Sequence, residues 1–95
     1  MTLTLEQLTK IQSGLKRLLV LAPATCKGRR REHIREFIDV GEYGLALDEL
    51  AGEMRRSTRP VPAEAASLVE RLATELGIDA NDEYSNLSAF RAHVA

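Results

Sequence analysis

The chain has 95 residues, 44% hydrophobic and 28% charged, so composition favours one packed core and excludes general disorder. The net charge of -1 excludes a uniformly basic nucleic-acid-binding protein, and the lone Cys26 excludes an internal disulfide. The N-terminus lacks a basic leader, and the longest apolar run, residues 18–23, is too short for a membrane span. We therefore expect one cytoplasmic domain over residues 1–95, without a membrane partner.

The first predicted helix begins after Thr4. Gln7 follows three residues later, which is the spacing of a capping box. Apolar residues then recur every three or four positions until Pro23, as on the buried face of a helix. This stripe comprises Leu5, Leu8, Ile11, Leu15, Leu18, Leu19 and Ala22.

Residues 23–29 have no helical periodicity and are predicted to form a loop that contains Cys26. In a loop the thiol would be exposed or partly exposed, and Lys27 and Arg29–Arg31 would lower its pKa. Because the sequence has no second cysteine and no catalytic partner pattern, we interpret Cys26 as an incidental loop residue.

Two helices and a tight corner are predicted next. The first runs from Arg30 to Val40, and Gly41 ends it in the left-handed conformation. The second, from Tyr43 to Arg56, is indicated by apolar residues at i, i+3, i+4, i+7 and i+11. We therefore expect a helix-turn-helix corner at Gly41–Gly44.

The last part of the chain is also helical in pattern. Residues 57–62 form a linker, and Pro62 is predicted to occupy the first position of a helix that ends at Gly77 with a Schellman motif. In residues 79–95, apolar side chains at helical spacing leave two alternatives, a short fifth helix or a loosely ordered tail. The fold class is therefore an all-α bundle of four or five helices.

An acidic run covers the corner. Between residues 36 and 54 there are six carboxylates and no Lys or Arg: Glu36, Asp39, Glu42, Asp48, Glu49 and Glu53. On the second helix, periodicity places Glu42, Glu49 and Glu53 along one line, opposite much of the apolar stripe. Such a run is either a solvated face or a docking surface for a basic partner. In the second case the candidate partner-binding residues are Asp39, Glu42, Asp48, Glu49 and Glu53.

A basic segment, residues 27–35, raises the alternative of a DNA-binding helix-turn-helix regulator. The second helix would then enter the major groove, where phosphate would repel Asp48, Glu49 and Glu53. No nucleic-acid partner is therefore expected. We instead expect Arg29–Arg31 to pair with acidic residues of the same fold or of a neighbouring subunit.

The sequence offers no catalytic constellation. Neither His33 nor His93 belongs to a recognised order of metal ligands, and neither a nucleophile motif nor a phosphate-binding glycine loop is present. We therefore predict a protein that is not an enzyme and has neither catalytic residues, metal ligands nor cofactors.

Residues 36–50, EFIDVGEYGLALDEL, closely resemble the core motif E-[FL]-I-D-x-G-E-Y-G-L-A-L-[ED]-x-L of MafI-like immunity proteins from bacterial polymorphic toxin systems. Residues 75–79, ELGID, resemble the family's "MGID"-like ending. The resemblance implies a small helical protein that binds and neutralises a cognate toxin domain, often a nuclease. A DNA-binding regulator and a helical dimerisation or adaptor module remain the alternatives, and a homodimer is compatible with each.

Overall fold

The computed structural model describes residues 3–78 and 85–94, and within these ranges it contains five helices and no strand. They are α1 (Leu5–Leu21), α2 (Gly28–Asp39), α3 (Tyr43–Arg56), α4 (Ala63–Glu75) and α5 (Ser85–Val94). The predicted all-α bundle is confirmed, with five helices. Among the described residues, none of the helices combines the length and the apolar character that crossing a membrane requires.

The capping box at the start of α1 is present. The backbone N–H of Gln7 donates to Thr4 Oγ1 at 3.1 Å, and the backbone N–H of Thr4 donates to Gln7 Oε1 at 2.8 Å. The predicted stripe forms the buried face of α1 from Ile11 onward. It is wrong for Leu5, which is 81% exposed because the whole first turn lies outside the core.

The corner between α2 and α3 has the predicted geometry. Gly41 has a φ of 81°, and its N–H donates to the Ile38 carbonyl at 3.3 Å. The N–H of Glu42 donates to the Phe37 carbonyl at 2.8 Å, which completes a Schellman motif. α3 therefore begins at Tyr43, two residues after the glycine. α2 begins at Gly28, two residues before the predicted start.

A second Schellman motif ends α4, as predicted. Gly77 has a φ of 70°, and the N–H groups of Gly77 and Ile78 donate to the carbonyls of Thr74 and Ala73 at 3.1 and 2.9 Å. At the other end of α4 the prediction is wrong by one residue, because Pro62 is the N-cap and the helix begins at Ala63.

α3 is the central helix of the bundle and packs against each of the other four. Its residues from Leu50 to Met54 are all buried, so that this part of α3 is covered around its whole circumference. On the far side of the core, α1 crosses α4 at Gly14. A Cβ atom there would lie 2.9 Å from Leu72 Cδ2, so a larger residue at this crossing would require the Leu72 side chain to move.

α5 packs against α3 and contributes to the same hydrophobic core as the other helices. Leu87 and Phe90 of α5 are 1% and 0% exposed. Gly52 allows the approach, because a Cβ atom at this position would lie 2.9 Å from Asn86 Cγ. The fifth-helix alternative is therefore correct for residues 85–94, while residues 79–84 and the predicted position of Tyr84 lie outside the described residues.

Candidate partner-binding site

The structure divides the five predicted partner-binding carboxylates into two groups. Asp39 and Glu42 are exposed at the corner, and Glu49 is partly exposed on α3. Asp48 is partly buried and bonded to α5, and Glu53 is only 3% exposed. They do not form the continuous surface that the helical periodicity of α3 suggested.

Glu53 is an internal ion-pairing residue, and its prediction as part of an exposed face is wrong. Its Oε1 lies 3.5 Å from Arg30 Nε of α2 and 3.7 Å from Arg56 Nη2, one turn later on α3. Because α3 is surrounded at this level, the side opposite its apolar stripe is also buried. Arg30 thus confirms the expectation that an arginine of residues 29–31 pairs with an acidic residue of the same fold.

Asp48 holds the start of α5. Its Oδ1 accepts a hydrogen bond from the backbone N–H of Leu87 at 3.0 Å, and its Oδ2 accepts one from Asn86 Nδ2 at 3.2 Å. The Leu87 N–H lies in the first turn of α5, where helix geometry offers no intrahelical acceptor. A side chain of α3 therefore caps α5, so Asp48 has a structural role.

The remaining three carboxylates and two exposed apolar residues make up a region that we call the acidic corner. It consists of Asp39, Val40, Glu42, Leu45 and Glu49. Within the described residues, its three carboxylate side chains make neither an ion pair nor a hydrogen bond. The two apolar side chains are unusually open, since Val40 is 72% and Leu45 is 42% exposed.

These residues lie around the turn between α2 and α3. Glu42 is the N-cap of α3, and Leu45 and Glu49 follow three and seven residues later, which is the spacing of one helix face. Asp39 and Val40 lie at the end of α2, immediately before the Schellman glycine. The sequence-based prediction did not include Val40 and Leu45. For Val40, its position between carboxylates at the end of a helix could have indicated an exposed apolar residue.

Positive charge is not wholly absent from this region. Asp39 lines a recess between α1 and α2 together with Lys16 and Arg35. Neither base lies within ion-pairing distance of Asp39. Asp39 is therefore a corner carboxylate with basic side chains in its surroundings.

The environment of Cys26 contradicts the predicted exposed loop cysteine. A turn in which the Cys26 N–H donates to the Pro23 carbonyl at 2.8 Å directs the residue inward, and it is only 2% exposed. Burial raises the pKa of the thiol, and the nearby Glu53 carboxylate raises it further, against the opposing charges of Arg31 and Arg30. Cys26 is thus a small core residue without a reactive thiolate.

Two arginines of the basic segment make hydrogen bonds within the fold. Arg30 Nη2 donates to the Thr25 carbonyl at 2.9 Å, and Arg31 Nη1 donates to the Leu19 carbonyl at 3.0 Å. These bonds fasten the loop of residues 22–27 and the end of α1. Arg29, in contrast, points to an outer surface of α2 and has no side-chain partner among the described residues.

Among residues 3–78 and 85–94, no group of three His, Cys, Asp or Glu side chains is placed to hold a metal ion. Side-chain placement is not described for His93. Comparisons of the chain with protein-family models, with curated proteins and with solved structures found no match. The acidic corner and the motif of residues 36–50 are therefore the features that bear on function.

Proposed function

We propose that this protein is an immunity protein that binds and neutralises a toxin domain through the acidic corner. The observation that carries the proposal is the combination of unpaired carboxylates and exposed apolar side chains on a well-defined corner. The carboxylates of α4 are paired with arginines, whereas those at the corner have no such pair among the described residues and are available to an external partner. The motif resemblance supports the same function.

The partner's surface should be basic. A nuclease that binds phosphate carries such a surface, and carboxylates can occupy it in place of the substrate. Concentrated negative charge also accelerates encounter with a basic partner. Val40 and Leu45 add exposed apolar area, and covering such area with a partner favours association.

The central position of α3 speaks against the DNA-binding alternative. A recognition helix must place one face in the major groove, but α3 is buried around its circumference from Leu50 to Met54. The more accessible N-terminal end of α3 carries the N-cap Glu42 and, within the helix, Glu49, and phosphate would repel both carboxylates. The basic residues of α2 lie on a different helix from the one that would read the bases.

Co-expression with a toxin domain encoded by the neighbouring reading frame tests the proposal, with cell survival as the first measurement. The informative variant is the double charge reversal Asp39→Lys and Glu42→Lys, because both side chains are exposed. We expect the dissociation constant to rise at least about tenfold and survival to fall. Raising the salt concentration should weaken the wild-type complex more than the complex of the double variant, because salt screens the charges that the variant removes.

Glu6→Lys is the control for charge reversal away from the corner, because it reverses one exposed carboxylate in the first turn of α1. It should leave protection unchanged. If the wild type neither binds nor protects, the immunity proposal is wrong. If the double variant protects as well as the wild type, the corner is not the contact surface, and if the partner is bound without loss of activity the adaptor alternative is favoured.

A further inference from the structure

The outer face of α2 carries a second unpaired set of charges. Arg29, Glu32, His33 and Glu36 occupy positions i, i+3, i+4 and i+7, so they form one stripe along the helix. All four are exposed, and with Arg30 they line one surface recess. Within the described part of the chain their only recorded contact is between the rings of His33 and Phe37, whose centroids are 4.4 Å apart.

The charges of α2 are also arranged against its helix dipole. The first turn contains arginines and no acid, and the N-cap residue Lys27 makes no side-chain capping bond. The last turn contains Glu36 and Asp39 and no base. Since a helix favours anions at its N-terminus and cations at its C-terminus, both ends of α2 are electrostatically unfavourable in the isolated chain.

We propose that this stripe is a homodimer interface in which two copies of α2 pack antiparallel. A two-fold axis that passes between residues 32 and 33 places Arg29 of each copy opposite Glu36 of the other. It also brings Glu32 within reach of His33 of the second copy, whose ring N–H can donate a hydrogen bond. The stripe is thus complementary to itself, which a two-fold interface requires.

A second copy fits this surface better than a partner of uniform charge. A purely basic partner would meet Arg29, and a purely acidic one would meet Glu32 and Glu36. The antiparallel arrangement instead brings the acidic end of one helix to the basic end of the other, so that both unfavourable dipole interactions are relieved. The stripe contains none of the carboxylates of the acidic corner, so the dimer does not depend on the proposed toxin binding.

The experiment measures molecular mass by sedimentation equilibrium on the full chain, from micromolar concentrations to about 1 mM, at low and high salt. Arg29→Glu and Glu36→Arg should each raise the dimer dissociation constant at least about tenfold, because each variant replaces two attractive pairs with two repulsive ones. The double variant Arg29→Glu/Glu36→Arg restores opposite charges and should restore the dimer.

Arg59→Glu is the matched control, since it makes the same charge change on an exposed residue of the 57–62 loop. A second measurement separates the interface from folding. Both single reversals place a charge that suits the dipole of α2, so the melting temperature of the dilute monomer should stay the same or rise. Loss of the dimer together with an undiminished melting temperature is the signature of an interface.

A wild type that remains monomeric throughout the concentration series overturns the proposal. So does a dimer that Arg29→Glu weakens no more than Arg59→Glu, or a double variant that folds but does not recover the dimer. Recovery by the charge swap supports it.

Discussion

The carboxylates of α4 and those of the acidic corner are used in opposite ways. Each acidic residue of α4 has an arginine partner: Glu64 with Arg17 at 2.8 Å, Glu70 with Arg91 at 2.9 Å and Glu75 with Arg71 at 3.4 Å. Two of these pairs connect α4 to α1 and α5. Within the described residues, the acidic corner has no such pair.

The difference follows from how the bases are distributed along the chain. No Lys or Arg occurs between residues 36 and 54, so carboxylates in this stretch can pair only with bases from other parts of the chain or at its ends. Arg30 and Arg56 serve Glu53, and the backbone of α5 serves Asp48. Among the described residues, Asp39, Glu42 and Glu49 receive no partner. Unlike the α4 carboxylates, they form no ion pair there, so we expect substitutions at these positions to have little effect on stability.

The largest effect should come from comparing two carboxylates one turn apart on α3. Glu53→Lys buries a cation beside Arg30 and Arg56, and we expect it to cost at least about 3 kcal/mol of unfolding free energy. Glu49→Lys changes a partly exposed residue without a partner and should cost about 0.5 kcal/mol or less. Urea unfolding followed by circular dichroism measures both. Equal losses would contradict the division between them.

An intermediate effect is expected at the cap of α5. Asp48→Ala leaves the Leu87 N–H without its acceptor and should cost about 1–2 kcal/mol. In this variant, amide hydrogen exchange should accelerate more in the first turn of α5 than in the other helices. Asp39→Ala is the control. It removes an unpaired carboxylate from the C-terminal end of α2, so stability should remain the same or rise slightly.

The smallest effect concerns pH. Hydrogen bonding and the charge of Arg17 lower the pKa of Glu64 in the folded protein. A carboxyl with a lowered folded pKa adds stability above its ordinary value, and the contribution disappears as pH falls through the lowered value. When the pH is lowered from about 6 to about 3, the melting temperature of Glu64→Gln should therefore fall slightly less than that of the wild type.

Both partners of this pair are about half exposed, so the difference should also shrink in high salt. Glu6→Gln is the control, because it removes an exposed carboxylate that has no arginine partner in the described part of the chain. The same pH slope for the wild type and Glu64→Gln would show that the Arg17 pair does not influence folding.

Features determined by nearby residues could be predicted from the sequence. The capping box of Thr4 and Gln7, the bounds of α3 and the positive φ of Gly41 and Gly77 depend on side chains within one or two turns. Their physical causes, capping and freedom from a Cβ atom, are visible in the local sequence. The fold class was predicted for the same reason.

Features determined by distant packing could not be predicted in this way. From the 3.6-residue period we predicted one buried face for α3. A helix surrounded by four others buries its charged side too, so Glu53 and Asp48 do not lie on the exposed face that we predicted. The burial of Cys26 was not predicted, because the turn that directs this residue inward has no periodic pattern in the sequence. The only local sign of a second packed side was Gly52, a residue without a side chain opposite the apolar stripe.

The capping of α5 by Asp48 has a consequence for synthesis on the ribosome. A ten-residue helix is too short to be stable in water alone, and the acceptor for its Leu87 N–H lies 39 residues earlier in the chain. α3 leaves the ribosome first, with the surface around Gly52 still uncovered. We therefore expect α5 to dock after translation of the other helices and to be the part of the nascent chain that chaperones compete for.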